Sequence, residues 1–283
     1  MFQGFSQQTN DFLWGIRFNN ERSWFEAHKQ EYLDYVQSPL RQLAQEVYAR
    51  FSAAHEELPL MVRVSRIYRD ARRLYGRGPY KSHLWFSLRM SGENWAEQPV
   101  FWFEIYPAGY AYGLGIYEAR PALMAKFRKA MDEHPEDMLP LANAFQRQTR
   151  FRLGAEEYKR PKGTAQPPLD QWYNRKNLDL TCDREIDDLL YSRALVDELL
   201  QAYEALMPYY RYFKALELEP DNLDARLQLI LRTAEQPDER RLALQELLDA
   251  ADKQMEKAGA FKEYASEFWT APETRPYMRV RCT

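Results

Sequence analysis

At Met61 the spacing of apolar side chains changes from three or four residues to two, and this change limits what the chain can fold into. Before it, the apolar residues mark helices. Ser6 caps a first helix carrying Phe12, Leu13 and Ile16, and Asn19-Asn20 suits its end. A second runs from about Ser23 to Val36, with Trp24, Phe25 and Tyr32 on its apolar side. Ser38-Pro39 starts a third, in which Leu40, Leu43, Val47 and Phe51 keep the helical spacing.

After Met61 the alternation is that of strands. Leu84, Phe86 and Leu88 alternate with Trp85, Ser87 and Arg89. Phe101, Phe103 and Ile105 alternate with Trp102, Glu104 and Tyr106, and a Pro107-Ala108-Gly109 turn leads to Tyr110, Tyr112, Leu114 and Ile116. With Met61–Arg69 these predict a mainly antiparallel sheet of about four or more strands. Helices follow at 121–134 and 137–149, then an irregular stretch at 151–180 with a strand near Asn177–Thr181, then a long helix at 192–214. Strands clustered between groups of helices argue for an α+β fold.

Composition excludes several functions. No GxxxxGK[ST], GxGxxG, GxSxG or HExxH occurs. His28, His55, His83 and His134 are too scattered, with Cys182 and Cys282, to suggest a zinc site, and no cofactor is named by any motif. Cys182 reads as a buried small hydrophobe. No apolar run of membrane-spanning length occurs, and the first residues hold no basic stretch followed by an apolar one, so the expectation is a reduced, cytoplasmic protein without a secretory signal or a membrane partner.

The net charge of −3 conceals a strong asymmetry. Residues 61–90 hold eight Lys/Arg against one acid, Asp70, whereas residues 183–283 hold 14 basic against 21 acidic residues. The densest polar cluster is Arg66-Ile67-Tyr68-Arg69-Asp70-Ala71-Arg72, followed by Gly78-Pro79-Tyr80-Lys81-Ser82-His83. Guanidinium forks match phosphate and carboxylate oxygens. Arg66, Arg69, Arg72 and Lys81 are therefore candidate anion ligands. Asp70, Tyr80, His83 and Glu104 are candidates for proton transfer, with Asp70 equally suited to holding one arginine in place.

Two further constellations stand beside this one. The sheet face with Trp85, Arg89, Trp102, Glu104, Tyr106, Gly113, Gly115 and Tyr117 either admits a ligand over its bare glycines or lies beneath a helix. In the second case Glu104 is expected to pair with Arg89 or another arginine. Tyr158-Lys159-Arg160-Pro161-Lys162-Gly163 and Trp172-Tyr173-Asn174-Arg175-Lys176 interleave bases with aromatics, which suits either a nucleic-acid backbone or a solvated loop.

Over residues 2–215 the chain resembles a widespread bacterial and fungal family of uncharacterised proteins, domain of unknown function 2461. The resemblance rests on Asn20-x-x-x-Trp24-Phe25, Arg66-Ile-Tyr68-Arg69-Asp70-x-Arg72 and Pro79-Tyr80-Lys81. It extends through the hairpin from Phe101 to Ile116 to Lys159-Arg160-Pro161-Lys162 and Arg175-Lys176. The family pattern Phe-Ser-x-Asp-Lys-Thr is replaced here by Arg73 to Gly78, Arg-Leu-Tyr-Gly-Arg-Gly, with Gly76 where the pattern has its acid. The resemblance implies one domain at 1–215 and no particular activity.

Lys214–Leu231 resembles a tetratricopeptide-repeat boundary, which implies a helical extension at 216–283 with helices at about 221–234 and 238–258. Three functional readings follow. The basic loop recognises an anionic small molecule and turns it over or only binds it. Alternatively, the basic and aromatic surface, with Trp172, Tyr173 and Tyr158, binds RNA or DNA. In the third, residues 216–283 dock a protein partner.

Overall fold

The computed structural model describes residues 1–216, apart from residues 71, 73, 75, 93 and 94. The helices expected at 221–234 and 238–258 lie outside the described residues, as does Cys282. Helix α1 (Gln7–Phe18) starts where Ser6 N–H bonds to Thr9 Oγ1 at 3.2 Å. The second helix expected from sequence is broken in two, α2 (Arg22–Ala27) and α3 (Lys29–Glu31), and passes into a π-helical turn, Tyr32–Gln37. The α-helix expected from Ser38-Pro39 does start there, as α4 (Ser38–Ala54), but the chain enters it straight from the π turn and not from a loop. Pro39 has no N–H for the carbonyl of Tyr35, one turn earlier. The Thr9 hydroxyl donates to that oxygen at 2.6 Å. The proline changes the helix's winding without stopping it, because a neighbouring helix supplies the missing donor.

The sheet has six strands in the order β1-β2-β3-β4-β6-β5, every neighbouring pair antiparallel. They are β1 (Leu60–Val64), β2 (Leu84–Met90), β3 (Pro99–Tyr106), β4 (Gly109–Ile116), β5 (Arg152–Leu153) and β6 (Asp179–Glu185). The first strand is shorter than expected and ends at Val64; beyond it only Tyr68 bridges to Tyr80. The stretch at 151–180 contributes β5 and a short helix α7 (Asp170–Tyr173). Helices α5 (Pro121–Glu133), α6 (Pro135–Arg147) and α8 (Leu195–Ala215) complete the α+β architecture.

Alternation sends Phe86, Phe101, Phe103, Tyr110, Tyr112 and Leu114 to one face, where they are fully buried. Phe101 packs there against Phe51 of α4 and against Tyr203 and Tyr210 of α8, at centroid distances of 5.1, 5.1 and 5.0 Å. The other face carries one register line across the whole sheet: Arg63, Ser87, Trp102, Gly113, Thr181 and Arg152. On that face Trp85, Trp102, Glu104 and Tyr106 are only half-buried.

Gly113 and Gly115 serve this sheet, not a ligand and not a helix. A Cβ on Gly113 would stand 1.9 Å from the Leu180 carbonyl oxygen, and one on Gly115 would stand 3.2 Å from the Leu178 carbonyl oxygen. The glycines let β6 and the residue before it lie close along β4. Glu104 pairs with His83 and not with an arginine, while the Arg89 guanidinium lies over the Trp95 ring at 3.7 Å.

Candidate functional site

Between Val64 and Leu84 the chain leaves the sheet and returns, and the loop so formed is tied down by its backbone. Arg69 N–H donates to Pro79 O and Lys81 N–H to Ile67 O, both at 2.8 Å. The Asn20 side chain reaches across from the end of α1 and grips Tyr80 twice: its Nδ2 donates to Tyr80 O, and its Oδ1 accepts from Tyr80 N, both at 2.9 Å. Gly78 is required for this grip, since a Cβ there would lie 2.2 Å from Asn20 Oδ1. At Gly76 the chain takes a positive φ of +76°, a conformation that glycine adopts without strain.

A cavity of 660 Å³ opens beside this loop. It is lined by Arg63, Val64, Ser65, Arg66, Tyr68, Arg69, Asp70, Arg72, Lys81 and Trp85. Three sequence-predicted anion ligands are held in place by hydrogen bonds. Arg69 Nε donates to Tyr80 O at 2.9 Å, and Lys81 Nζ donates to Arg66 O at 3.0 Å. Arg72 donates its Nε, Nη2 and backbone N–H to the Asp70 carboxylate at 2.8–3.0 Å. Asp70 thus acts as the holder of an arginine, in an exposed pair. Among the described residues, Arg63, Arg66, Arg69 and Lys81 make no ion pair with a carboxylate.

The electrostatics follow from that imbalance. Burial, then the nearby Arg69 and Arg66, lower the Lys81 ammonium pKa, with Glu104 opposing them. Burial, then Arg77, lowers that of the Arg69 guanidinium. Each of these cations is held in its charged form against its neighbours, so a bound anion would relieve all of them.

The other sequence candidates divide by position. His83 Nδ1 and Glu104 Oε1 form a short hydrogen bond where β2 begins, and Glu104 faces Trp85 across the β2–β3 ladder. Trp102 is diagonal to Trp85 on the same face. Tyr80 has its ring in the core, stacked on Phe25 at 4.4 Å and 5.4 Å from Tyr68. Burial raises its phenol pKa, and its link to the cavity residues is its carbonyl oxygen, which accepts from Arg69 Nε.

Arg175 and Lys176 precede β6, at the other end of the strand order from β1. Arg175 donates to Ala155 O and Gln171 O at 2.9 Å, and Lys176 pairs with Glu156 at 2.6 Å. They brace their own loop and do not join the cavity. Trp172 is 1% exposed, packed against Phe145 and Tyr209, and the Tyr173 hydroxyl donates to Asp132 at 2.8 Å. Neither ring is placed to stack on a base, which corrects the reading of that segment as an interleaved binding surface.

Sequence reasoning overlooked Arg63 and Ser65 as cavity residues. The signal was the period-two pattern of Met61–Arg69, which puts both on the polar face with Trp85. Among the described residues, no group of three or more His, Cys, Asp or Glu is placed to hold a metal ion, and no helix is long and apolar enough to cross a membrane. No curated protein matches the chain. A family model described as "Conserved hypothetical protein (DUF2461)" matches residues 8–212, a span that holds every cavity residue. The chain therefore belongs to the DUF2461 family of conserved hypothetical proteins.

Proposed function

We propose that this protein recognises an anionic small molecule, one bearing a phosphate or carboxylate, in the cavity beside the Arg66–Lys81 loop. The supporting observation is the cavity lining itself: five cations and one acid, and that acid already engaged by Arg72. Guanidinium and ammonium groups fixed by backbone hydrogen bonds lose little freedom on binding, which favours affinity. The His83–Glu104 pair does not line the cavity but lies next to it, Glu104 facing Trp85 across the ladder; it is the nearby group suited to moving a proton, because the carboxylate fixes which imidazole nitrogen carries hydrogen. The nucleic-acid alternative loses the aromatic residues it needed, Trp172 and Tyr173, to the core.

A thermal-shift panel of phosphates, sugar phosphates and carboxylates on wild type and Arg66→Ala tests the proposal. The Arg66 side chain is the better choice for removal, since that of Arg69 also ties down Tyr80 O. A ligand at 100 times its Kd adds about 2.7 kcal/mol of stability, and this gain is expected to shrink in the variant. Equal stabilisation of both proteins by every anion in the panel would sink the idea.

A further inference from the structure

The cavity is larger than the anionic group it is built to hold. A water molecule's share of liquid volume is about 30 Å³, so a phosphate of five heavy atoms fills on the order of a quarter of 660 Å³. Beside the charged residues the wall carries two aromatic rings, Tyr68 and Trp85. Trp85 belongs to the cavity wall, and the Lys81 Nζ stands 6.0 Å from the centre of its ring. Any anion on Lys81 is therefore within one ammonium of an indole face. The Trp85 main chain is anchored at this wall: its backbone N–H donates to Ser65 Oγ at 3.0 Å, and its carbonyl oxygen accepts from Ser65 N–H at 2.8 Å.

The surface beyond Trp85 continues in the same character. Trp102 lies diagonal to it, with Ser87 between them in the ladder, directly opposite Trp102. Ser87 is 3% exposed, and its hydroxyl has no hydrogen-bond partner within the protein, an unusual state for a buried polar group. On the far side of Ser87 stands Arg63, which makes no ion pair among the described residues. Two indoles, a buried unpaired hydroxyl and an unpaired guanidinium thus adjoin the cationic cavity on one sheet face.

From this placement we propose that the ligand is a nucleoside phosphate, with its phosphate among Arg66, Arg69 and Lys81 and its base stacked on Trp85 beside Trp102. This rests on the anion reading above and adds the ring-bearing half of the ligand. A heterocyclic base supplies the flat face that an indole stacks upon, together with a polar edge within the chemistry of the exposed Arg63 guanidinium. The phosphate comes from a free nucleotide or from a terminal or internal nucleotide of a single strand; the chemistry at the site is the same.

The test is calorimetric titration of the full chain with inorganic phosphate, ribose 5-phosphate, AMP and a hexanucleotide, repeated on Trp85→Ala and Trp85→Phe. AMP is expected to bind about tenfold tighter than ribose 5-phosphate, the usual worth of one stacked base. Trp85→Ala should remove that margin while leaving ribose 5-phosphate affinity in place, and Trp85→Phe should restore most of it. Equal affinity for AMP and ribose 5-phosphate in wild type overturns the base site, leaves the anion reading standing and needs no variant. A margin that survives Trp85→Ala also overturns it. No binding of any of these phosphates overturns the nucleoside-phosphate proposal and, with it, the phosphate form of the anion reading. A hexanucleotide that binds tighter than AMP, and weakens steeply with salt, supports the proposal with a single strand as source. Equal affinities support it with the free nucleotide.

Discussion

Asn20 does its work forty residues and more from the cations it serves. Its amide holds both backbone polar groups of Tyr80, and through them sets where Arg69 and Lys81 stand. Asn20→Ala removes two hydrogen bonds and leaves a partly buried N–H without its acceptor, a loss of about 1–3 kcal/mol. For a chain of this size we expect the melting temperature to fall by roughly 2–4 °C per kcal/mol, with weaker anion binding in the same variant. Unchanged affinity would show that the loop holds its shape without this clamp.

Lys81 gives a pH signature. Its ammonium loses its proton more easily in the folded protein than the 10.5 of a free lysine, chiefly through burial and then through Arg69 and Arg66. Between the lowered value and 10.5 the unfolded chain therefore binds more protons, so this group's contribution to stability rises with pH in that window. Anion binding runs the other way, since it needs the charge. Affinity measured against pH is expected to begin falling below 10.5; a decline that starts only above it contradicts the assignment of Lys81 as a ligand.

At the scale of elements, the period-two stretches were legible because β2 and β3 pack one face more fully than the other, and because β4, buried throughout, alternates bulky residues with Ala111, Gly113 and Gly115. The hairpin at Pro107–Gly109 followed from its turn residues. The π turn before α4 was not legible, because it depends on a hydroxyl from α1 reaching Tyr35 O. Nor was the fate of Trp172-Tyr173. Flanked by polar residues and followed by Arg175-Lys176, they read as surface, yet α7 turns both inward, Trp172 against Phe145 of α6 and Tyr209 of α8, and Tyr173 with its hydroxyl on Asp132 of α5. The Arg/Lys cluster was visible in sequence as a charge run. That Arg63 and Trp85 would complete it required the β1–β2 register.

Two predictions belong to this scale. Trp172→Ala should cost about 3–5 kcal/mol, as expected for a large buried aromatic, without altering the affinity of the folded protein for phosphates. A selective loss of ligand binding in a stable Trp172→Ala protein would return that residue to the functional surface. Gly113→Ala should destabilise strongly, because the new methyl meets the backbone of β6 and not a movable side chain. A melting temperature within a degree of wild type would show that the two strands separate more easily than their geometry implies.

For the whole molecule, the charge distribution matters more than its sum. The net charge is −3, so a small anion meets weak repulsion at long range and a cationic patch only on close approach. The affinity for a nucleoside phosphate, as the ratio of its association and dissociation rates, is then expected to fall modestly between 50 and 200 mM salt, less than the thousandfold or more of proteins that neutralise many phosphates. Stopped-flow measurements at the two salt concentrations distinguish these cases.

The strand that borders the cavity has a second consequence. With β1 at the end of the sheet order, no strand pairs with its outer side among the described residues. Such a border is a template on which another copy of the same chain can add a strand. Here the border strand is only five residues long and carries Arg63, with Arg66 and Arg69 just beyond it. Two copies approaching edge to edge would bring these guanidinium groups against each other. The same charges that draw an anion in thus keep neighbouring molecules apart, and replacing Arg63 and Arg66 with valine and threonine should turn a monodisperse solution into one that aggregates with concentration.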